Sequence, residues 1–159
     1  MATYEFAPEV ETAAKPLIEA YHGHLKEAHI SYVFRDKAWR KACSRVVLGK
    51  AARRNELDQL LSPKTEDFVM IIAKDKWETM SDVEKRALID HELCHMGVSI
   101  SADATTKFIL RPHLIEEFPE NLARFEHRRL ALGNLIQNPP SPITDKNPSR
   151  HIVLGEENV

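Results

Sequence analysis

Residues 81–100 read SDVEKRALIDHELCHMGVSI, and the rest of the chain is most easily placed relative to them. Ser81 stands where a helix cap belongs, and Glu84, three residues on, can reach back to it in a capping box. Val83, Leu88, Ile89 and Met96 recur at helical spacing, so one helix is expected to run through the stretch with these residues facing a core. His91 and His95 lie four apart on it and share a face, which lets two imidazoles meet one ion. Glu92 completes an HExxH pattern. A carboxylate in that position can take a proton from a metal-acidified water and pass it to a leaving amine. The pattern therefore predicts a zinc site with Glu92 as general base. Cys94, one step round the helix, reads as a small packed residue and not as a metal thiolate.

Two imidazoles leave the set incomplete, since a catalytic zinc normally has three protein ligands. The best source of a third is RPHLIEEF, residues 111–118. Pro112 suits the first turn of a helix, and His113 follows His95 by enough chain to turn and return to a metal. On spacing alone, His113 is either that ligand or a capping or surface residue.

Length and charge limit the alternatives. The chain has 159 residues and a formal net charge of −2, enough for one domain with a real core and no overall pull toward nucleic acid or membrane. Its two cysteines, Cys43 and Cys94, form neither a disulfide framework nor a CxxC ribbon, which suits a reducing cytoplasm. The amino terminus lacks the basic start and apolar run of a signal peptide, and no segment is apolar for long enough to span a bilayer. A soluble, cytoplasmic protein is expected.

Residues 8–28 carry Val10, Ala13, Ala14, Leu17, Ile18 and Tyr21 at helical spacing and predict a first helix, disturbed at Pro16 and loosened at Gly23. His22, His24 and His29 gather near its end and read as surface or packing residues. HISYVFR (29–35) alternates like a strand with one buried face, SRVVLG (44–49) is a shorter strand, and DFVMIIA (67–73) is apolar almost throughout and belongs at a sheet centre. NELDQLLSPKTE reads as a short helix or turn, and Trp77 and Met80 as core anchors.

Gly97 to Thr106 is expected to be a polar connection, with a short strand or turn at Phe108 and Ile109. Residues 119–137 are expected to form an amphipathic helix, 138–149 a proline-rich extended tail, and HIVLG an edge strand. These elements predict an α+β fold. One domain covers residues 1–137, and the tail covers 138–159.

Several stretches together, AYHGHL, HISYVFR, DFVMIIAKDKW, RALIDHELCHM and RPHLIEEF, resemble the phage metallopeptidase family, a set of short zincin-like proteins related in layout to SprT-like proteases. The likeness spans about residues 10–130. It implies a zincin-like fold: a small sheet of three to four strands packed against an N-terminal helix, the HExxH helix and a C-terminal helix. It also implies zinc on His91, His95 and His113, Glu92 as general acid and base, and a protein or peptide substrate. Family members often read PHD where this chain has Pro112, His113 and Leu114, so the acidic partner is lost here. In another zincin layout the third ligand is a later glutamate, which makes Glu116 and Glu117 competitors of His113, or partners that orient its ring.

Two further classes stay open. A catalytically silent, zinc-stabilised binding or inhibitor protein would keep the metal and tolerate Glu92→Gln. A nucleic-acid-associated protein would use the eight basic residues between Arg35 and Arg54, with Arg40, Lys41 and Arg45 on phosphates and Trp39 on a base. The plainer reading of that segment is a charged hairpin edge.

Overall fold

The computed structural model describes residues 1–40, 46–54 and 66–113. The chain divides into two compact units, Met1–Arg111 and Pro112–Val159. Of the second unit, only Pro112 and His113 are among the described residues. The expected elements at 55–65 and from 114 onward, including the C-terminal helix, the tail and HIVLG, lie outside them.

The first unit is α+β, built on a mixed four-stranded sheet. Its strands are β1 (Tyr4–Phe6), β2 (Ile30–Arg35), β5 (Gly49–Arg53) and β6 (Phe68–Ala73), in the order β1-β2-β6-β5. β2 and β6 run parallel, from Ile30↔Phe68 to Arg35↔Ala73, while β1 and β5 are antiparallel to their neighbours. The apolar run of β6 is central, as its composition predicts: Phe68, Met70 and Ile72 are fully buried on one face. On β2 the expected alternation holds, with Tyr32 and Phe34 buried beside them.

Two strands escape a propensity reading. β1 is only three residues long, and β5, GKAAR, contains no β-branched or aromatic residue. The expected strand at 44–49 divides instead. Val46–Val47 (β4) pairs with Trp39–Arg40 (β3) in a separate two-stranded ladder, and Gly49 begins β5 in the main sheet.

Helix α1 (Pro8–Tyr21) covers the sheet with Val10, Ala14 and Leu17 buried. Pro8 at its start is preorganised for a helix, and Pro16 lies inside it without ending it. Pro16 is exposed, so the carbonyl of Thr12 that loses its amide partner can turn to water. A 3₁₀ turn, Gly23–Leu25, then buries Leu25. Trp77, the last residue of the short helix α2 (Lys74–Trp77), is the expected anchor: it lies against Phe34 and its Nε1–H donates to Glu9 Oε1 at 2.6 Å.

The motif helix α3 is Asp82–Cys94, shorter than the sequence suggests. His95 caps it, and Met96 already belongs to β7 (Met96–Ile100), which pairs with β8 (Thr106–Leu110) where a polar connection was expected. Continuing the helix would forfeit the ladder from Met96↔Leu110 to Ile100↔Thr106. The buried face of α3 is Ile89, Glu92 and Leu93, while Val83 is 76% exposed. The apolar stripe is thus shifted toward the motif end, where the helix meets α1 and the sheet.

Among the described residues no helix is long and apolar enough to cross a membrane.

Two stability predictions arise here. The capping box is present: the Ser81 hydroxyl accepts from the Glu84 N–H, and the Ser81 N–H donates to Glu84 Oε2 at 2.8 Å. Ser81→Ala is expected to cost about 1 kcal/mol in urea unfolding. Burial, and secondarily the charge of Glu11, push the Tyr32 phenol up from 10.0 to about 12. The folded chain therefore holds that proton more tightly than the unfolded one. The contribution is complete below pH 10 and is lost as pH rises through about 12. Relative to Tyr32→Phe, the wild type is expected to lose about 3 kcal/mol across that window, read as a steeper alkaline fall of unfolding midpoint.

Candidate metal centre

The site is assembled where α3 ends. His91 occupies the last turn and His95 the cap position, with ring centroids 5.0 Å apart and planes at 78°. The ring nitrogens they can offer to an ion lie within 4.8 Å of each other. The i,i+4 relation read from the sequence thus survives although the helix stops between Cys94 and Met96.

His95 is fixed from behind. Its Nδ1 lies 2.7 Å from the carbonyl oxygen of Arg111, and the Arg111 N–H donates to the His95 carbonyl, also at 2.7 Å. A carbonyl only accepts, so Nδ1 carries the proton and Nε2 is the nitrogen with the lone pair. This carbonyl–imidazole arrangement sets tautomer and ring orientation in metal sites. Arg111 was not foreseen, because its role comes from the β7–β8 ladder returning the chain beside the helix end and not from its side chain.

Glu92 does not stand open beside the histidines as the motif alone suggests. It is 4% exposed and packs against the start of β5. A Cβ built on Gly49 would come within 2.6 Å of Glu92 Oε1 and 3.0 Å of Cδ, so the absence of a side chain at Gly49 makes room for the carboxylate. Desolvation raises the Glu92 pKa above the usual carboxylate range, with the neighbouring His95 and the Ala51 backbone N–H acting in the opposite direction. Gly49 and Ala51 line the Glu92 carboxylate, and no motif marks them in the sequence. An isolated glycine at the start of a strand, a mark of close approach, was the available signal.

His113 follows Arg111 by two residues and is the second residue of the second unit. Glu116 and Glu117 lie outside the described residues, as do Lys41 and Arg45 of the basic segment. Arg40 is exposed on β3, opposite Val46. It borders an open groove with Arg35, Lys37, Trp39 and Lys76, where the Arg35 guanidinium covers the Trp39 ring at 4.9 Å.

Cys94 departs from its expected packed position, whereas His22 and His24 take packing roles as expected. Cys94 is exposed and not packed, because the helix turns that position away from the sheet. His22 is buried, with Nε2 2.7 Å from Asp90 Oδ1, and His24 Nε2 lies 3.0 Å from the Met96 carbonyl oxygen. Both tie the end of α1 to the motif region.

The donor chemistry of His91 and His95, with one ring already oriented by a carbonyl, fits a nitrogen-preferring divalent ion. No curated protein and no solved structure matches the chain. One family model does, over residues 2–138, under the description "Putative phage metallopeptidase". With that match covering most of its length, the chain belongs to this family, whose description implies a metal ion and protein or peptide substrates.

Proposed function

We propose that the protein is a zinc-dependent peptidase of zincin-like design, in which His91, His95 and His113 hold the ion and Glu92 moves protons. The observation that carries this reading is the pairing of an oriented imidazole with a buried carboxylate: His95 held by the Arg111 carbonyl, and Glu92 enclosed beside it against Gly49 and Ala51. His113 is the favoured third ligand because Arg111 is pinned to His95 by two hydrogen bonds, and the two residues that follow span at most about 7 Å. Glu116 and Glu117, further along, are the alternatives.

Bound there, zinc would supply the positive charge that polarises a scissile carbonyl and acidifies a water. The chain's own groups do the rest. Arg111 fixes the His95 ring. The Ala51 N–H and the space above Gly49 hold the Glu92 carboxylate in one position. A carboxyl raised by desolvation is a stronger base than an exposed one, which suits it to receive a proton from water and return it to a departing amine.

Zinc content and hydrolysis of an unfolded protein substrate test the reading together. Wild-type protein is expected to cleave, to lose activity with a chelator and to regain it with zinc. The His91→Ala/His95→Ala chain is expected to hold one zinc fewer and to be inactive. Equal zinc content in the two chains would overturn the assignment.

A further inference from the structure

Helix α3 carries a second pair of metal-binding residue types four apart, Asp90 and Cys94, each one position before a histidine of the motif. Successive helix positions are rotated by about 100°, so this pair looks out on a different face from His91 and His95. That face meets the end of α1, where His22 enters. The ligand atoms of His22, Asp90 and Cys94 all lie within 4.8 Å of one another.

We propose that His22, Asp90 and Cys94 form a second metal site, separate from the His91–His95 pair and suited to a borderline divalent ion such as zinc. The donor set is one imidazole nitrogen, one carboxylate oxygen and one thiolate sulfur, a combination that favours zinc over magnesium or calcium. Its two anionic groups balance a dication. The site is also built: His22 is 6% exposed and held in place, whereas Asp90 is partly exposed and Cys94 exposed, so an ion can enter from solvent and find an ordered ligand.

The geometry is that of a metal-free state close to loading. His22 Nε2 and Asp90 Oδ1 are 2.7 Å apart, a hydrogen-bond distance. Two ligands on one tetrahedral zinc sit roughly 3.3 Å apart with bonds of 2.0 to 2.1 Å, so uptake needs a separation of well under 1 Å. To coordinate through Nε2, His22 would carry its ring proton on Nδ1, Cys94 would release its thiol proton to solvent, and water would take the fourth position. An ion there would clamp the end of α1 onto the helix that bears the catalytic motif. The proposal does not depend on the peptidase reading, since none of its ligands belongs to that site.

Cobalt substitution of the full-length chain separates the possibilities, because a thiolate bound to Co²⁺ gives a near-ultraviolet charge-transfer band that histidine and carboxylate ligands do not. The wild type and Cys43→Ser are expected to show the band. Cys94→Ser is expected to lose it along with one bound ion, and Asp90→Asn to weaken cobalt binding at least tenfold. Cys94 is exposed, so its serine variant is not expected to unfold, and circular dichroism checks this. The His91→Ala/His95→Ala chain is expected to keep the band. Absence of the band from wild type, its survival in Cys94→Ser, its loss in Cys43→Ser or its loss with the two motif histidines would each overturn the proposal. The last result would assign Cys94 to the motif ion, and it is distinct from failure of the peptidase reading, which the zinc difference and substrate hydrolysis measure.

Discussion

Glu92→Gln is expected to lower kcat/KM for protein substrates by about 10²- to 10⁴-fold, the usual contribution of a positioned general base, with zinc content unchanged. The substitution isolates proton transfer because glutamine has nearly the same shape. Its amide oxygen can still accept from the Ala51 N–H, and its side chain still fits above Gly49. What it loses is the ability to take up a proton and return it. Burying a neutral amide in place of a carboxylate whose charge is disfavoured by desolvation should also leave stability equal or slightly higher. The measurements are therefore three: rate, metal content and unfolding midpoint. A glutamine variant that cleaves at the wild-type rate would reduce Glu92 to a packing residue and favour a zinc-stabilised binding protein. Loss of rate together with loss of zinc would mean that the site had collapsed, so the metal measurement decides how the rate is read.

The parts of this fold that are legible in the sequence are those decided by neighbours along the chain. The Ser81–Glu84 capping box needs only a spacing of three, and the β6 run FVMIIA announces a buried strand by composition alone. His91 and His95 share a face for the same local reason. What was hidden depends on contacts between distant segments. Met96 continues the helical periodicity on paper, yet the ladder with Leu110 takes it into a strand. GKAAR has weak strand propensity and becomes β5 because β6 offers an open edge. Glu92 reads as a polar residue beside the metal, and only the approach of β5 shows that it is buried. The orientation of His95 comes from a backbone carbonyl, a group every residue has, and no side-chain pattern announces which one will be used. His22 and Asp90 likewise meet because α1 and α3 pack together, not because of any spacing between them.

Gly49→Ala is expected to lower kcat/KM by about 100-fold with zinc retained, because misplacing a catalytic group by 1 Å can cost that much. The added methyl would lie 2.6 Å from Glu92 Oε1, 3.0 Å from Cδ and 3.1 Å from Cγ, so the whole carboxyl group and not just its tip must move. Neither backbone can yield easily. β5 is held in register on β6 from Gly49↔Ile72 to Arg53↔Phe68, and α3 is anchored by the fully buried Ile89 and Leu93 on either side of Glu92. The side chain therefore rotates away, giving up the Ala51 N–H, and the overpacking costs about 1–3 kcal/mol of stability. Both effects pass through one side chain, which makes the pair strongly non-additive. In a Glu92→Ala background the same methyl meets no carboxylate, so the stability loss from Gly49→Ala should largely vanish. In a Glu92→Gln background Gly49→Ala should lower the residual rate little further. A Gly49→Ala protein with the wild-type rate, or a stability loss equal in the wild-type and Glu92→Ala backgrounds, would show that β5 does not position this carboxylate.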